Sequence, residues 1–365
     1  MNFNEYHSHK WSKNLADVKR RAQEINALYK NGSIKEAQDK LSALYSGEFK
    51  DEAKIFPGLK VMAVFWKAEE EMMRCRFETK EKAAKDLHLT DTDEFRNNLK
   101  AVWQKYTEDI AGLVKKYSLL DEKISGPIIK KYPPQMGANW SDTLKGLMSQ
   151  TETTVKKGEI SDTLINNWLA FCLDGILAYN FGLARQAVLS AMILNKFSEA
   201  KLKQIVADSK DEYGWLVSKK FFVEVFPAAG ITDMTDLQTI GRYGMFSDQD
   251  LTTSETLPPP EKRATEPKIK RTEFFNCQEF SMFETTFKML GVKINHIGIA
   301  MCPYCEEHGK KNVQVFVPPS MRPEVKMTTS LGLGNKSCVF ETKLYPADDM
   351  ERFMQAQEKV FGGQY

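Results

Sequence analysis

Apolar residues recur at three- and four-residue spacing through residues 14–125, with few strand-like alternations, and this pattern predicts helices. Ile25, Leu28, Tyr29, Ala37, Leu41 and Leu44 flank Lys30-Asn31-Gly32-Ser33, so a helical hairpin is expected there, with Ser33 as the N-cap of its second helix. Phe56-Pro57-Gly58 marks a break before a helix through Val61, Val64, Phe65 and Met72. Asp91-Thr92-Asp93 caps another that carries Leu99, Val102, Trp103 and Tyr106.

Ile124-Ser125-Gly126-Pro127 and Tyr132-Pro133-Pro134 punctuate the chain next and suggest a boundary near 135. Beyond them Ser161 or Asp162 caps a long helix from Ile165 to about Asn195, with a break expected near Gly182. A further helix spans about Ser198 to Phe222, and Pro227 and Gly230 end the run. Between Leu251 and Glu273 four prolines and a high density of charge leave little to bury, which reads as a linker or surface arm.

The last block mixes periods. Cys277–Leu290 fits a helix with Phe280, Phe283, Phe287 and Leu290 on one face, Ile294–Ala300 and Val313–Val317 fit strands, Lys336–Leu344 alternates as a third strand, and Asp348–Val360 closes as a helix. The expected fold is α+β: two helical domains (residues 1–135 and 136–250), the linker 251–273, and a small C-terminal α/β domain, 274–365.

Composition narrows the function classes. The chain has 365 residues, enough for more than one core, and 51 Lys and Arg balance 49 Asp and Glu to a formal charge of +2, which carries no footprint of nucleic-acid binding. The start lacks the apolar run of a signal peptide, and six cysteines are too sparse for a disulfide scaffold, so a cytoplasmic protein with reduced thiols is expected. The apolar stretch Trp168–Leu194 is interrupted by Asp174 and Arg185 and reads as a buried helix, not a membrane anchor. Asn167, Asp174 and Arg185 form a narrow polar stripe on that helix, either the lining of a ligand pocket or, as is commoner, a solvated edge.

Four of the six cysteines fall in the final quarter: Cys277, Cys302, Cys305 and Cys338. Cys302-Pro303-Tyr304-Cys305 is a CxxC pair followed by Glu306, Glu307 and His308. Proline holds both sulfurs on one side of a turn, a geometry shared by zinc knuckles, cluster ligands and redox dithiols. The tetrapeptide is also that of glutaredoxins, but no long helix is expected after it, and the two acids raise the thiol pKa instead of lowering it. Four thiolates converging from 277, 302, 305 and 338 would suit zinc first and an iron–sulfur cluster as the alternative, with His308 or His296 able to replace one. The competing view is that Cys277 and Cys338 are simply buried. A catalytic metal would leave Glu306, Glu307 or His308 as the nearest proton-transfer groups.

Cys277-Gln278-Glu279, Met289-Leu290-Gly291, Met301 to Glu306, and Thr328-Thr329-Ser330-Leu331 leading to Gly334 and Cys338-Val339-Phe340 resemble the L-2-amino-thiazoline-4-carboxylic acid hydrolase-like family, over residues 160 to 345. The block is also similar to vinyl-reductase-type small-molecule-binding domains. The first resemblance implies hydrolytic opening of a thiazoline ring on the route to cysteine, with a small sulfur- or nitrogen-containing substrate. The second implies a zinc site on Cys277, Cys302, Cys305 and Cys338. The rival reading is a binding or assembly protein whose N-terminal helices dock a protein partner and whose metal is structural.

Overall fold

A computed structural model describes residues 55–116, 118, 120–157, 161–231, 251–275 and 277–362, with positions 24, 27, 28, 31–33 and 35–37. The expected turn lies in the last group. Gly32 takes a positive φ of 84°, Ser33 N–H donates to Leu28 O, and Ala37 N–H donates to Ser33 O as an N-cap at Ser33 requires. Most of the two helices around it fall outside the described residues.

The fold is α+β, helices first and a small antiparallel sheet near the C-terminus. Helices α1 (Ile55–Ala84), α2 (Asp93–Lys116), α3 (Glu122–Ile129), α4 (Trp140–Lys157), α5 (Asp162–Lys196) and α6 (Glu199–Lys219) lead to strands β1 (Leu251–Thr256) and β2 (Lys268–Phe274). Helices α7 (Gln278–Met289) and α8 (Cys302–Phe316), strands β3 (Met321–Thr329) and β4 (Cys338–Pro346), and helix α9 (Met350–Phe361) complete the chain. Two compact units divide it. One draws its described residues from Met1–Glu70, Trp103–Phe181 and Ala228–Met245, the other from Glu71–Val102, Gly182–Pro227 and Phe246–Tyr365. The division is interleaved, whereas the punctuation near 135 and 250 suggested consecutive domains.

In the first unit aromatic contacts dominate. Trp66 lies against Tyr179 at 5.4 Å between ring centroids and Trp103 against Phe181 at 5.2 Å, while Trp168 Nε1–H donates to Thr151 Oγ1 at 3.1 Å. The stripe expected on α5 is split. Asp174 pairs with Lys131 at 3.2 Å, Arg185 lies 3.6 Å from the Phe77 ring centroid in the second unit, and Asn167 lines an open groove of about 410 Å³ with Thr143, Leu147, Gln150 and Phe171. By length and composition α5 could cross a membrane, but 89% of its most apolar window is buried inside the protein, as a core helix would be.

In the second unit β1, β2, β4 and β3 pair in that order, all antiparallel. One face places Glu324 opposite Lys343 and both Lys326 and Arg271 opposite Glu341, cross-strand charges of opposite sign. The other carries Val325, Phe274 and Phe340, with the last two rings 5.7 Å apart, and α8 lies over it, Gly309 facing Phe340 and Val325. Ala356 and Val360 of α9 close a small core with Val315, and Arg352 caps the end of α8 by donating to the carbonyls of Gln314, Val317, Pro318 and Met321.

Several expectations are corrected. Residues 251–273 are not a linker: they form the β1–β2 hairpin, with Pro258 to Pro260 in its turn and Lys268 paired to Glu255 at 2.8 Å. Hydroxyl and charged side chains on an edge strand hide the period, and Ser254, Glu255 and Thr256 are exposed. Ile294–Ala300 is a short helical turn and Val313–Val317 the end of α8. The buried positions of α8 are Cys302, Tyr304, Glu307, Lys311 and Val315; Glu307 and Lys311 neutralise each other at 3.0 Å, so charged residues occupy an inward face that an apolar pattern would miss. The CxxC therefore does open a long helix. No break occurs near Gly182, because its missing side chain serves packing: a Cβ there would sit 2.6 Å from Met73 Cβ. G182A should lower stability by about 1–3 kcal/mol despite the better helix propensity of alanine, read from urea denaturation; a higher midpoint would show that the helices relax apart at no cost.

Candidate functional site

Arg76, on α1, is fully buried. Its Nη1 and Nη2 donate to the carboxylate of Glu279 in the first turn of α7, where the helix N-terminus favours a negative charge. Nη2 also donates to Tyr213 Oη at 3.3 Å and to Cys305 Sγ at 3.6 Å, and the Cys305 thiol donates to Glu279 Oε2 at 3.5 Å. The guanidinium carbon lies 5.3 Å and 5.6 Å from the ring centroids of Tyr213 and Tyr304, which meet edge to face. One donor is left over: Arg76 Nε is buried with no hydrogen-bond partner among the described residues.

The electrostatics follow from that pair. Burial works against the charge on Arg76, but Glu279, Tyr213 and Cys305 outweigh it and hold the group above its ordinary pKa. Lys80, one turn further along α1, is fully buried and donates to Ser190 Oγ at 3.0 Å and Ala300 O at 2.9 Å. Burial first and the charge on Arg76 second push its pKa well below the ordinary value. Loss of the Lys80 charge would leave the Arg76–Glu279 pair balanced.

The four cysteines lie within electrostatic reach of one carboxylate, Glu279. A thiolate at Cys338 or Cys302 would oppose ionisation of Cys277, and one at Cys277 or Cys302 would oppose that of Cys305, while Glu279 acts on all four. Each thiol nevertheless has its own environment. Cys302 Sγ lies 2.8 Å from Ser330 Oγ, Leu331 N–H donates to Cys338 Sγ at 3.3 Å, and Cys305 faces Arg76 and Glu279. Among the described residues no three His, Cys, Asp or Glu side chains converge to hold a metal ion, so the set as it stands does not fit the zinc or iron–sulfur centre that the sequence suggests. Burial raises all four thiol pKa values, that of Cys302 to about 11 with the Ser330 hydroxyl pulling the other way. That is the reverse of a glutaredoxin-type nucleophile.

The expected proton-transfer residues each have partners of their own. Glu306 pairs with Lys310 at 3.2 Å and Glu307 with Lys311, which also reaches Asp211 at 2.5 Å. His308 packs on Phe221 and Tyr213, and Asn312 donates to its Nε2 while accepting from Ser218 Oγ. Phe221 belongs to a π-helical stretch, Lys220–Val225, that follows α6. Arg76, Glu279, Tyr213 and Lys80 were not singled out by sequence. The available signal was two cations one turn apart, Arg76 and Lys80, on a face of α1 that also carries Phe65, Met72 and Met73.

Two outcomes follow. E279Q leaves Arg76 buried and uncompensated and should cost about 3–5 kcal/mol, whereas the double variant R76M/E279L should recover most of it; denaturation of the single and double variants measures both, and additive losses would show that the two groups do not interact. Burial, then the charge on Arg76, lowers the His308 pKa to about 3. The unfolded chain takes up this proton near pH 6.5 and the folded one does not, so stability is retained above about 6.5 and lost as pH falls toward 3; thermal unfolding against pH should show this acid slope, reduced in H308Q. No family model, curated protein or solved structure matches this chain.

Proposed function

We propose that the second unit is the catalytic part of an enzyme of the thiazoline-hydrolase-like class, acting on a small sulfur- or nitrogen-containing substrate with Arg76, Glu279 and Cys305 at its centre. The observation that carries this is a desolvated Arg–Glu pair joined to a thiol, with an unpaired Arg76 Nε donor beside it. Buried charge of this kind costs stability that an apolar core would not, and such groups cluster where proteins do chemistry.

The pair suits a zwitterionic ring. Arg76 offers parallel donors for a carboxylate, and Glu279 offers two acceptors for an amidine-like cation, so a ligand bearing both charges exchanges one ion pair for two. Glu279 is then the acceptor for a proton from water adding to the ring carbon between sulfur and nitrogen, and Arg76 anchors the opposite end. Zinc is the metal a four-thiolate set selects, but filling it requires all four thiols to lose their protons and draw together. Six free cysteines suit a reducing, cytoplasmic setting. The protein-partner surface expected on residues 1–135 lies in part outside the described residues.

Incubation of the full chain with 2-amino-thiazoline-4-carboxylate and related cyclic amidines should release a free thiol as the ring opens, with kcat falling about 100-fold or more in E279Q. A folded wild-type protein that opens none of them sinks the reading. Elemental analysis decides the metal separately: one zinc per chain whose removal abolishes turnover would establish it, and a zinc-free, fully active protein would rule it out.

A further inference from the structure

We propose that Cys302 and Cys305 close into a reversible disulfide at the start of α8, and that this closure withdraws the thiol from the Arg76–Glu279 pair. The helix places the partners. Cys302 is its first residue and Cys305 its fourth, with Pro303 in the first turn. Residues three apart on an α-helix have Cα atoms about 5 Å apart, inside the window a disulfide tolerates. The closure lies in the first turn, where the amide N–H groups have no intrahelical acceptors to lose.

The two thiols are unequal. Cys302 is 3% exposed and held against Ser330, while Cys305 is half-buried, so an oxidant meets Cys305 first. Glu279 Oε2 accepts the Cys305 S–H and can take its proton, and Arg76 Nη2 faces the sulfur that becomes a thiolate. With a low-molecular-weight disulfide as the oxidant, the Cys305 sulfur attacks one of its sulfurs and releases one thiol. Cys302 then attacks the Cys305 sulfur of the mixed disulfide and releases the second thiol, which takes up the proton that Cys302 gives up. Two protein thiols are oxidised, one disulfide is reduced to two thiols, and both protons end on the released thiols.

Closure removes the hydrogen that bridges Cys305 to Glu279 and turns the sulfur toward Cys302, so the ion pair keeps only its own contacts. Tyr213 and Tyr304, which stack about the guanidinium, report the change. The inference shares Cys305 with the proposed active site but needs no substrate, so it stands or falls apart from the hydrolase reading.

The test equilibrates the full-length protein with glutathione buffers of graded oxidation, blocks free thiols by alkylation and maps the peptides by mass spectrometry. The expected result is a two-hydrogen loss confined to the Cys302–Cys305 peptide, reversed by dithiothreitol, with a matching change in the near-ultraviolet circular dichroism of the tyrosines. C302S should instead trap a glutathione adduct on Cys305. Both thiols remaining alkylatable in the most oxidising buffer, a bridge from Cys302 to Cys338 or to Cys277, or a bridge that leaves the tyrosine signal unchanged would each overturn the proposal.

Discussion

A guanidinium with no access to water must have a carboxylate, and in this protein Arg76 has Glu279. The requirement ties α1 to the first turn of α7, within reach of the cysteine-bearing start of α8. Charge in a low-dielectric interior acts at longer range than at the surface, so the pair also sets the state of its neighbours. Burial first and the charge on Arg76 second push Lys80 and His308 toward their neutral forms, and burial and Glu279 both oppose a thiolate at Cys305.

Close helix packing brings those groups together. A Cβ on Gly214 of α6 would lie 2.7 Å from Lys311 Cγ of α8, and one on Gly332 would lie 2.8 Å from Cys302 Sγ, so both glycines permit approaches that a side chain would block. Behind the site, the sheet supports α8 through Phe340 and Val325, and Arg352 satisfies the carbonyls at its far end. The CxxC thus starts a helix braced along its length.

Much of the architecture was legible from local pattern. Ser198 caps α6 with its side chain on Lys201 N–H, α5 runs where the apolar stretch required a buried helix, and α7, β4 and α9 lie close to the positions their periodicity indicated. Where pattern misled, paired charge was a recurring cause. Glu307 and Lys311 occupy the inward face of α8 because they neutralise each other, and the β1–β2 hairpin hides its strands behind hydroxyl and charged side chains whose partners lie across the turn.

The sequence by itself determined the helical content and the small C-terminal sheet's final strand, since each depends on residues within a few positions of one another, and it showed the concentration of cysteines in the last quarter by simple count. Only the tertiary structure decided what that group faces. Arg76 and Glu279 are 203 residues apart, and nothing near either marks the other as its partner. Periodicity and caps are short-range properties of the backbone, whereas the pairing of a buried charge is settled by which surfaces close over it. That is why the thiols could be counted from the chain but the partners that surround each of them could not.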